Sequence, residues 1–449
     1  MSATDTLDYR YSFASLLKHT PTQNELFLSN YSEIPSSNLP CFFTGKISNP
    51  YIVSRCLIAL ANVVKSNFII TKAQLEAMRD PIVTVGNEQI RFEGFSGCAG
   101  VYARVDVTEE GQKEAFVASG TTNVDFNQEM ISALGRVSKQ SSFVLNVGSK
   151  SVEVTTEKAK VKEKKVTLPT RWVKSLTAVQ HYMAHSHPFA TLNRLQAIQL
   201  FRSIPKGSVK SEYYLFKRAN KYTFSPMVQK DAVLIGAINR LHLLQPLLPL
   251  LTELKVFAHE SGQSSTWQFY FDTVVFSLTL SRDAYRGFSG EGTQLHELMS
   301  DVPEEVIQKL SNFSYANQTF SPTLLPIRIG KDAKATKEMT SKLSAMGLLG
   351  YDLDAGTYFY RQLPFKPSRI MTLNPRLKGA KKLLEKNQVK IILNEKEKVE
   401  ARVAGTGVEH LVIIDLGVAK CTCQWYSKHQ GERGECKHVL AVHELIKEG

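Results

Sequence analysis

The C-terminal sequence contains Cys421-Thr422-Cys423, which a polar loop separates from Cys436-Lys437-His438 and the apolar run Val439-Leu440-Ala441-Val442. A tetrahedral zinc site takes four cysteine or histidine ligands, often in closely spaced pairs along the chain. Three thiolates and one imidazole complete that shell, so no position stays open for a substrate. The spacing therefore predicts one structural zinc ion with these ligands: Cys421, Cys423, Cys436 and His438.

The residues around the two pairs indicate how the ligands converge. Alternate residues of a strand share a face, so a strand through Cys421 and Cys423 would direct both thiols at one ion. Cys436 and His438 begin a predicted helix that continues through Ile446, and amide groups at a helix N-terminus favour a thiolate. Three basic side chains are placed to offset the net negative charge of three thiolates on one zinc ion: Lys420, Arg433 and Lys437.

Other histidines fit a metal site less well. His443 lies roughly 140° round the helix from the last ligand, and His429 lies in the loop between the ligand pairs. His181, His185 and His187 form an H-x-x-x-H-x-H pattern, but it lacks the acidic residue of H-E-x-x-H and a proline ends the helix at once. We interpret these three as a polar helix end.

The composition is that of a basic globular protein. The chain has 449 residues, which at about 150 residues per domain suggests about three domains. Hydrophobic residues make up 43% and charged residues 22%, an ordinary globular balance. The formal net charge is +13, and such chains tend to associate with polyanions such as nucleic acid or acidic protein surfaces. Many soluble proteins are basic without a specific reason, so charge alone leaves both interpretations open.

The sequence predicts neither a targeting segment nor a membrane span. Residues 1–11 are polar and lack the apolar core of a signal peptide. The most apolar window, residues 241–258, is interrupted by prolines and charged residues, so we expect a buried helix there. Three of the six cysteines lie in the ligand motif, and the others are expected to be buried free thiols. This cysteine usage suits a reducing compartment and predicts a cytoplasmic protein.

The pattern along the chain predicts a multidomain α+β protein. Its expected parts are an N-terminal α+β domain over 1–156, a basic linker over 157–166, a second α+β domain over 167–300, a winged-helix-like helix-hairpin region over 301–368, and a basic lead-in with the zinc module over 369–449. The basic run 157–165 fits an exposed linker or the edge of a hairpin.

Hydrophobic spacing locates the main elements of the two larger units. Helices are predicted over 49–65, 171–183 and 192–202. Residues 232–253 are expected to form two helices that break near Pro246 or Pro249. Residues 267–280 alternate in the manner of a two-stranded ribbon.

Residues 331–364 have a pattern of their own. A helix is predicted over 336–346, and the strand-like runs 348–353 and 357–361 flank the turn signal Asp354-Ala355-Gly356. A helix followed by a hairpin resembles the last helix and wing of a winged-helix domain. Three lysines on the helix would then be able to contact phosphates: Lys334, Lys337 and Lys342. The alternative is a helix-hairpin packed inside a larger domain.

The chain becomes markedly basic before the zinc motif. An amphipathic helix is predicted over 376–386, followed by strands over 389–393, 399–403 and 409–415. The candidate phosphate contacts in this region are Lys378, Lys381, Lys382, Lys428, Arg433 and Lys437.

The zinc motif resembles the SWIM zinc finger, whose pattern is C-x-C, a variable loop, then C-x-H at the start of a helix. The resemblance covers the approach from 412 to 423, the four ligands and the string from 436 to 442. Residues 374–380 resemble the lead-in of bacterial SWIM proteins, and residues 100–104 and 286–292 resemble their bodies. The resemblance implies a zinc-bound ββα module in a cytoplasmic protein of bacterial gene clusters that also encode a MoxR-type AAA+ ATPase and a von Willebrand A domain protein. SWIM modules in general are implicated in binding DNA or other proteins.

Two functions fit these observations better than catalysis. The first is a non-enzymatic zinc protein that binds DNA or another nucleic acid through its basic C-terminal region. The second is an interaction adaptor for a partner such as the ATPase or the von Willebrand A protein. The chain has no P-loop signature, and residues 287–291 fail the nucleophile-elbow pattern because Glu291 replaces its second glycine. An enzyme with an unrecognised site is the third alternative, and no small-molecule substrate is evident.

Overall fold

The computed structural model describes residues 16–19, 24–27, 42–66, 81–86, 89–117, 120–124, 126–148, 151–156, 159–164, 170–207, 209, 211–282, 287–288, 319–330, 332–361, 374–395, 397–405, 407–431 and 434–448. They form a mixed α/β, multidomain protein with several sheets. The described helices are α1 (Pro50–Lys65), α2 (Gln128–Gly135), α3 (Thr170–Ala184), α4 (Arg194–Arg202), α5 (Leu325–Ile329), α6 (Ala333–Ala345), α7 (Pro375–Glu385), α8 (Gln424–His429) and α9 (Lys437–Glu448).

The strands follow the same chain order. Those up to residue 164 are β1 (Leu16–His19), β2 (Asn24–Phe27), β3 (Phe43–Ile47), β4 (Ile82–Gly86), β5 (Gln89–Phe95), β6 (Val101–Val107), β7 (Gln112–Val117), β8 (Gly120–Asn123), β9 (Phe143–Val147), β10 (Ser151–Thr156) and β11 (Lys160–Lys164). The later ones are β12 (Ser186–Asn193), β13 (Tyr213–Arg218), β14 (Lys221–Ser225), β15 (Val233–Ile235), β16 (Glu253–His259), β17 (Ser264–Phe271), β18 (Val274–Ser281), β19 (Thr319–Phe320), β20 (Leu349–Asp352), β21 (Thr357–Tyr360), β22 (Val389–Asn394), β23 (Lys398–Ala404), β24 (Glu409–Asp415) and β25 (Val418–Cys421).

An eight-stranded antiparallel sheet organises the first 281 residues, in the order β12-β16-β17-β18-β6-β5-β4-β8. Its centre is the pairing of β18 with β6, where Phe276 lies opposite Val105. Each half contains a meander, β4-β5-β6 or β16-β17-β18, and the last strand of each meander lies at the centre. A second sheet has the order β11-β10-β9-β3-β7, and both sheets contribute side chains to one hydrophobic core.

Local sequence signals define helix α1, which packs against β5 and β6. The Asn49 side chain accepts a hydrogen bond from the Ile52 amide, and Pro50 lies in the first turn, where no intrahelical amide bond is lost. Val53 and Leu57, one turn apart, are fully buried on the inner side. The helices predicted over 49–65, 171–183 and 192–202 are all present, with ends displaced by no more than a residue or two.

The residues predicted to form a basic linker, 157–166, instead contain a paired strand. Strand β11 pairs along β10 as the edge of the five-stranded sheet. Val161 and Glu163 are buried while Lys162 is exposed, which is the alternation of a half-buried strand. The structure favours the hairpin edge over the linker, and the sequence left both open because lysines at an edge strand resemble a solvated linker. The pairing of β6 with β18 also joins the predicted domains 1–156 and 167–300 in one sheet.

Residues 232–253 do not form the two predicted α-helices. Strand β15 comes first, a 3-10 helix follows over Ile238–Leu247, and β16 begins at Glu253. Three buried leucines recur at the three-residue period of a 3-10 helix: Leu241, Leu244 and Leu247. The expected buried helix over 241–258 is corrected in the same way, since this window ends in a sheet strand. The ribbon predicted over 267–280 is confirmed as the hairpin β17-β18.

Residues 319–360 form a unit in the order β19, α5, α6, β20, β21, with the sheet order β19-β21-β20. The predicted helix and hairpin are therefore both present. Lys334 and Lys337 are exposed on α6. The hairpin turn does not extend freely into solvent, because Asp354 accepts a hydrogen bond from Lys255 of β16. This anchor favours the alternative of a helix-hairpin packed inside a larger assembly.

Among the described helices, none is long and apolar enough to cross a membrane.

A buried ion pair joins the helix-hairpin unit to the central sheet. Arg361 follows β21 and is almost fully buried, and its Nη1 lies 2.6 Å from Oε1 of the fully buried Glu93 on β5. Its Nη2 donates to the Leu176 carbonyl of α3 at 3.0 Å. The Tyr102 hydroxyl of β6 donates to the same Glu93 carboxylate. Segments far apart in sequence therefore meet at one carboxylate.

A second buried charge cluster lies on the same two sheet strands. Asp106 lies 3.2 Å from Arg91 Nε and 2.7 Å from Arg104 Nε. Arg104 also donates to the Tyr351 carbonyl of β20 at 2.9 Å, and the Arg91 guanidinium lies 3.8 Å from the centre of the Phe359 ring of β21. Burial raises the pKa of Asp106, and both arginines oppose that rise. These two contacts, a directional hydrogen bond and a cation–π contact, hold the β20-β21 hairpin against the central sheet in one orientation.

We expect Arg361→Met to lower the free energy of unfolding by about 3–5 kcal/mol, because it leaves the Glu93 carboxylate buried without its counterion. The double variant Arg361→Met/Glu93→Gln should recover a large part of that loss, since glutamine carries no charge to desolvate. Equilibrium urea unfolding of both variants measures the difference. A loss below about 1 kcal/mol in the single variant would show that this pair does not constrain the fold.

Candidate metal centre

The C-terminal module combines a four-stranded antiparallel sheet, β22-β23-β24-β25, with helices α7 and α9 packed against each other. The helix predicted over 376–386 and the three strands predicted before the zinc motif are confirmed. The Asn374 side chain caps α7 by accepting from the Arg376 amide. Gly379 lets α7 approach α9 closely, because a Cβ there would lie 3.0 Å from Lys437 Cδ.

Four ligand-type side chains converge where β25 leads into the last two helices. Cys421 is the last residue of β25, Cys423 caps the N-terminus of α8, and His438 lies in the first turn of α9, just after Cys436. Their ligand atoms all lie within 4.8 Å of one another, and all four residues are buried. The two sequence pairs therefore form one cluster.

The backbone around the first pair differs from the prediction of one strand through both cysteines. Strand β25 ends at Cys421, and the chain turns before Cys423. The Cys423 thiol is oriented by α8, since its Sγ accepts from the Tyr426 amide at 3.5 Å. Cys436 has the same arrangement at α9, where its Sγ accepts from the Val439 amide at 3.5 Å. Two helix N-termini therefore favour negative charge on two of the three sulfurs.

The cluster has the dimensions of a tetrahedral site. With metal–sulfur bonds of ~2.3 Å, the corners of a tetrahedron are about 3.8 Å apart. His438 Nδ1 lies 3.8 Å from Cys421 Sγ and 3.9 Å from Cys436 Sγ. The Cys3His donor set and this spacing are compatible with one bound metal ion such as zinc.

Three thiols this close cannot all ionise without a cation. Hydrogen bonds from Cys421 and Cys436 hold the pKa of Cys423 far below its ordinary value. Hydrogen bonding to Cys423 and Cys436, together with burial, raises the pKa of Cys421. The protein groups alone thus stabilise one thiolate and leave its neighbour protonated. A divalent cation supplies the charge that allows all three sulfurs to ionise.

Arg376, in the first turn of α7, joins that helix to the cluster. Its Nη1 donates to the carbonyl of Glu435, the residue before Cys436, at 2.8 Å. Its guanidinium lies over the Trp425 ring of α8, 4.4 Å from the centroid, and Trp425 Nε1 donates to the Gly434 carbonyl at 3.3 Å. Burial lowers the Arg376 pKa to about 10, and Cys436 opposes that shift. Sequence reasoning missed these contacts, although a tryptophan beside the ligands was a signal for them.

The six candidates for phosphate contact lie on different elements. Three are exposed on α7, and none of them makes an ion pair with a described residue: Lys378, Lys381 and Lys382. Lys428 is exposed on α8. Lys437 is half-buried, with its side chain against Gly379. Arg433 lies outside the described residues.

The nearby histidines are held by other groups. His443 Nε2 lies 2.9 Å from Glu435 Oε1, and the His429 ring lies 4.4 Å from the Trp425 ring. In the part of the chain that the structure describes, the group of ligand atoms within 4.8 Å contains neither histidine.

A separate histidine cluster lies where α3 ends and β12 begins. The His181 and His185 rings are 4.3 Å apart, and the His259 ring of β16 lies 6.3 Å from that of His185. Burial, and then the neighbouring His185, lower the pKa of His181 to about 3 and that of His259 to about 4. His187 is exposed beside them. These rings are compatible with the predicted polar helix end.

Comparison with known proteins adds little to this geometry. No protein-family model matches the chain, and the search of curated proteins found no match. One similar solved structure is the crystal structure of Proliferating Cellular Nuclear Antigen from Entamoeba histolytica, with a TM-score of 0.34 and 14% identity over 54% of this chain and 98% of that chain. A similarity of this size carries no argument about function.

Purified protein is expected to contain about one zinc ion per chain, and Cys436→Ser should lose it because the hydroxyl does not replace the thiolate ligand. Backbone amides beyond residue 402 should then exchange faster, since metal binding and folding of the module are coupled. Elemental analysis and hydrogen exchange measure the two effects. His429→Ala is the matched control and should keep its metal. A normal zinc content in Cys436→Ser would refute the ligand set.

The free energy of unfolding should fall as pH drops from about 6.5 towards 4, because the unfolded chain binds protons at ordinary histidine pKa values while the buried rings stay neutral. Each histidine with a lowered pKa contributes up to about 1.4 kcal/mol per pH unit to the slope of the free energy of unfolding against pH in that window. Urea unfolding between pH 7.5 and 4.5 should show a flatter dependence for His181→Gln/His259→Gln than for wild type. The exposed His187→Gln is the control, and an unchanged slope in the double variant would contradict the prediction.

Proposed function

We propose that the protein is a non-enzymatic zinc protein of the cytoplasm that binds DNA or another nucleic acid through its basic C-terminal region. The observation that carries this proposal is the attachment of a basic, exposed helix to the Cys3His cluster. Arg376 makes that attachment through Glu435 and Trp425. The cluster determines where α7 lies, and α7 presents its lysines.

The metal in this proposal is structural zinc, and the module is a SWIM-type finger as the resemblance implies. Four protein ligands close the coordination shell, so the ion itself does not bind a substrate. Its role is to hold β25, α8 and α9 together around a small core. Binding is then left to side chains on the surface of the module.

The α7 lysines have the arrangement that phosphate contacts require. Lys378 and Lys382 lie one helical turn apart with Lys381 beside them, so the three share a face. All three are exposed and make no ion pair with a described residue. When exposed, unpaired lysines neutralise phosphates of a nucleic acid, the counterions condensed on its backbone are released, and this release favours binding.

The triple variant Lys378→Gln/Lys381→Gln/Lys382→Gln should bind duplex DNA more weakly and with a shallower salt dependence. Each lost phosphate contact reduces the slope of log affinity against log salt by about 0.9. Fluorescence anisotropy with a labelled duplex at 50 to 200 mM salt measures both quantities.

A matched control removes the same net charge elsewhere. Lys113, Lys139 and Lys162 are exposed on the N-terminal part of the chain, and replacing all three by glutamine should leave the slope unchanged. Equal losses in the two triple variants would show that net charge alone attracts DNA. No retention of wild-type protein on DNA at low salt would refute the proposal.

An adaptor function is the second candidate, and a different observation favours it. Two large aliphatic side chains at the turn that joins β24 to β25, Leu416 and Val418, are more than half exposed. Such residues are typical of a protein-binding surface when they lie together. By the resemblance, the partner would be a MoxR-type AAA+ ATPase or a von Willebrand A protein. Co-purification that survives nuclease treatment supports the adaptor, whereas loss of all partners after nuclease supports nucleic acid.

A further inference from the structure

The three-stranded sheet β14-β13-β15 has one face on the protein core and the other exposed. On the inner face Leu215 is fully buried, Tyr222 contacts Phe189, and Phe224 contacts Trp267 of the central sheet, with ring centroids 6.0 and 6.1 Å apart. This packing holds the sheet as a fixed platform. Successive side chains of a strand point to opposite faces, so the intervening residues of β13 and β14 form the exposed face of the sheet.

Two aromatic rings lie on the exposed face of the central strand. Tyr214 and Phe216 are both partly exposed and follow each other at i and i+2, about 7 Å apart along β13. Their cross-strand neighbours on β14 are Ser225 and Thr223. On the other side, Leu234 of β15 lies opposite Tyr214, whose hydroxyl donates to Glu212 Oε2 at 3.0 Å.

Unpaired cations border the same face. Arg218 and Lys221 lie directly opposite each other at the turn that joins β13 to β14, and both are exposed without an ion pair to any described residue. Like charges in directly opposite positions destabilise a sheet, so folding alone does not account for this pair. The acidic residue that accepts from the Tyr214 hydroxyl, Glu212, lies 3.6 Å from Arg282 Nε, so its charge is offset by a further cation. The surface is therefore complementary to a polyanion.

We infer that this face binds single-stranded nucleic acid. Two successive unpaired bases stack on Tyr214 and Phe216, while Arg218 and Lys221 contact the phosphates that flank them. Sheets that carry aromatic rings on a central strand beside basic side chains bind single strands in this way, because every base offers a π-face and the backbone is anionic. The duplex is excluded because its bases are already stacked. This site is separate from the α7 surface and does not require it.

The test separates stacking from charge by comparing two oligonucleotides. A labelled 15-mer of thymidine and a 15-mer of abasic sites carry the same phosphates, but only the first has bases to stack. Wild-type protein should bind the thymidine oligomer at least about tenfold more tightly, since each stacked base contributes about that factor. Tyr214→Ala/Phe216→Ala should bind both oligomers equally. Tyr214→Phe keeps the ring and should keep the preference.

A second variant keeps the test valid if truncating the aromatic rings disturbs the sheet. Arg218→Gln/Lys221→Gln changes only exposed side chains and should reduce the salt slope by about 1.4, or 0.7 per phosphate, on either oligomer. Arg136→Gln/Lys139→Gln removes the same charge from another exposed surface and should leave the slope unchanged.

The two proposals can fail separately. The α7 triple variant should lose duplex affinity while it keeps the preference for the base-containing oligomer. The inference is overturned if wild-type protein does not distinguish the two oligomers. It is also overturned if Arg218→Gln/Lys221→Gln binds single strands with the wild-type slope, in which case the face belongs to a protein partner.

Discussion

The buried contact between Arg361 and Glu93 joins the central sheet, helix α3 and the segment that follows β21. Both side chains are almost fully excluded from solvent, so each depends on the other for its charge. The same guanidinium bonds the Leu176 carbonyl, which fixes α3 against the sheet and the hairpin. Trp172 of α3 lies in the hydrophobic cluster that also contains Leu377 and Leu440 of the zinc module. The ion pair thus holds a helix that shares a hydrophobic cluster with the C-terminal module.

The metal cluster acts as a second constraint of the same kind, but over a shorter range. In both places a charged group requires its partner to lie at a fixed distance and direction, whereas apolar contacts tolerate small shifts. Arg376 extends the constraint from the ligands to α7 by bonding the Glu435 carbonyl and stacking on Trp425. An arginine is suited to this role because its planar guanidinium both stacks and donates in fixed directions.

Sequence reasoning succeeded where the determinants are local. Helix α1 could be predicted because Asn49 and Pro50 mark its start and its apolar spacing covers a whole face. The zinc ligands could be grouped because four uncommon residue types fall at short spacings. Arg361 could not be recognised, since its partner lies 268 residues away and a lone arginine resembles a surface residue. The prediction of two α-helices over 232–253 was wrong for another reason. Leucines at three-residue spacing fit an α-helix and a 3-10 helix alike.

The proposed function follows from the donor set of the cluster. A metal ion bound by all four protein ligands would contribute position and not chemistry, so the proposal assigns recognition to side chains that the fold leaves unneutralised. Asp106 is a buried charge that the fold compensates closely, because it lies between two arginines. The described structure leaves the lysines of α7 and the opposed Arg218 and Lys221 without such partners. These uncompensated cations are the reason that we assign anion binding to the two surfaces.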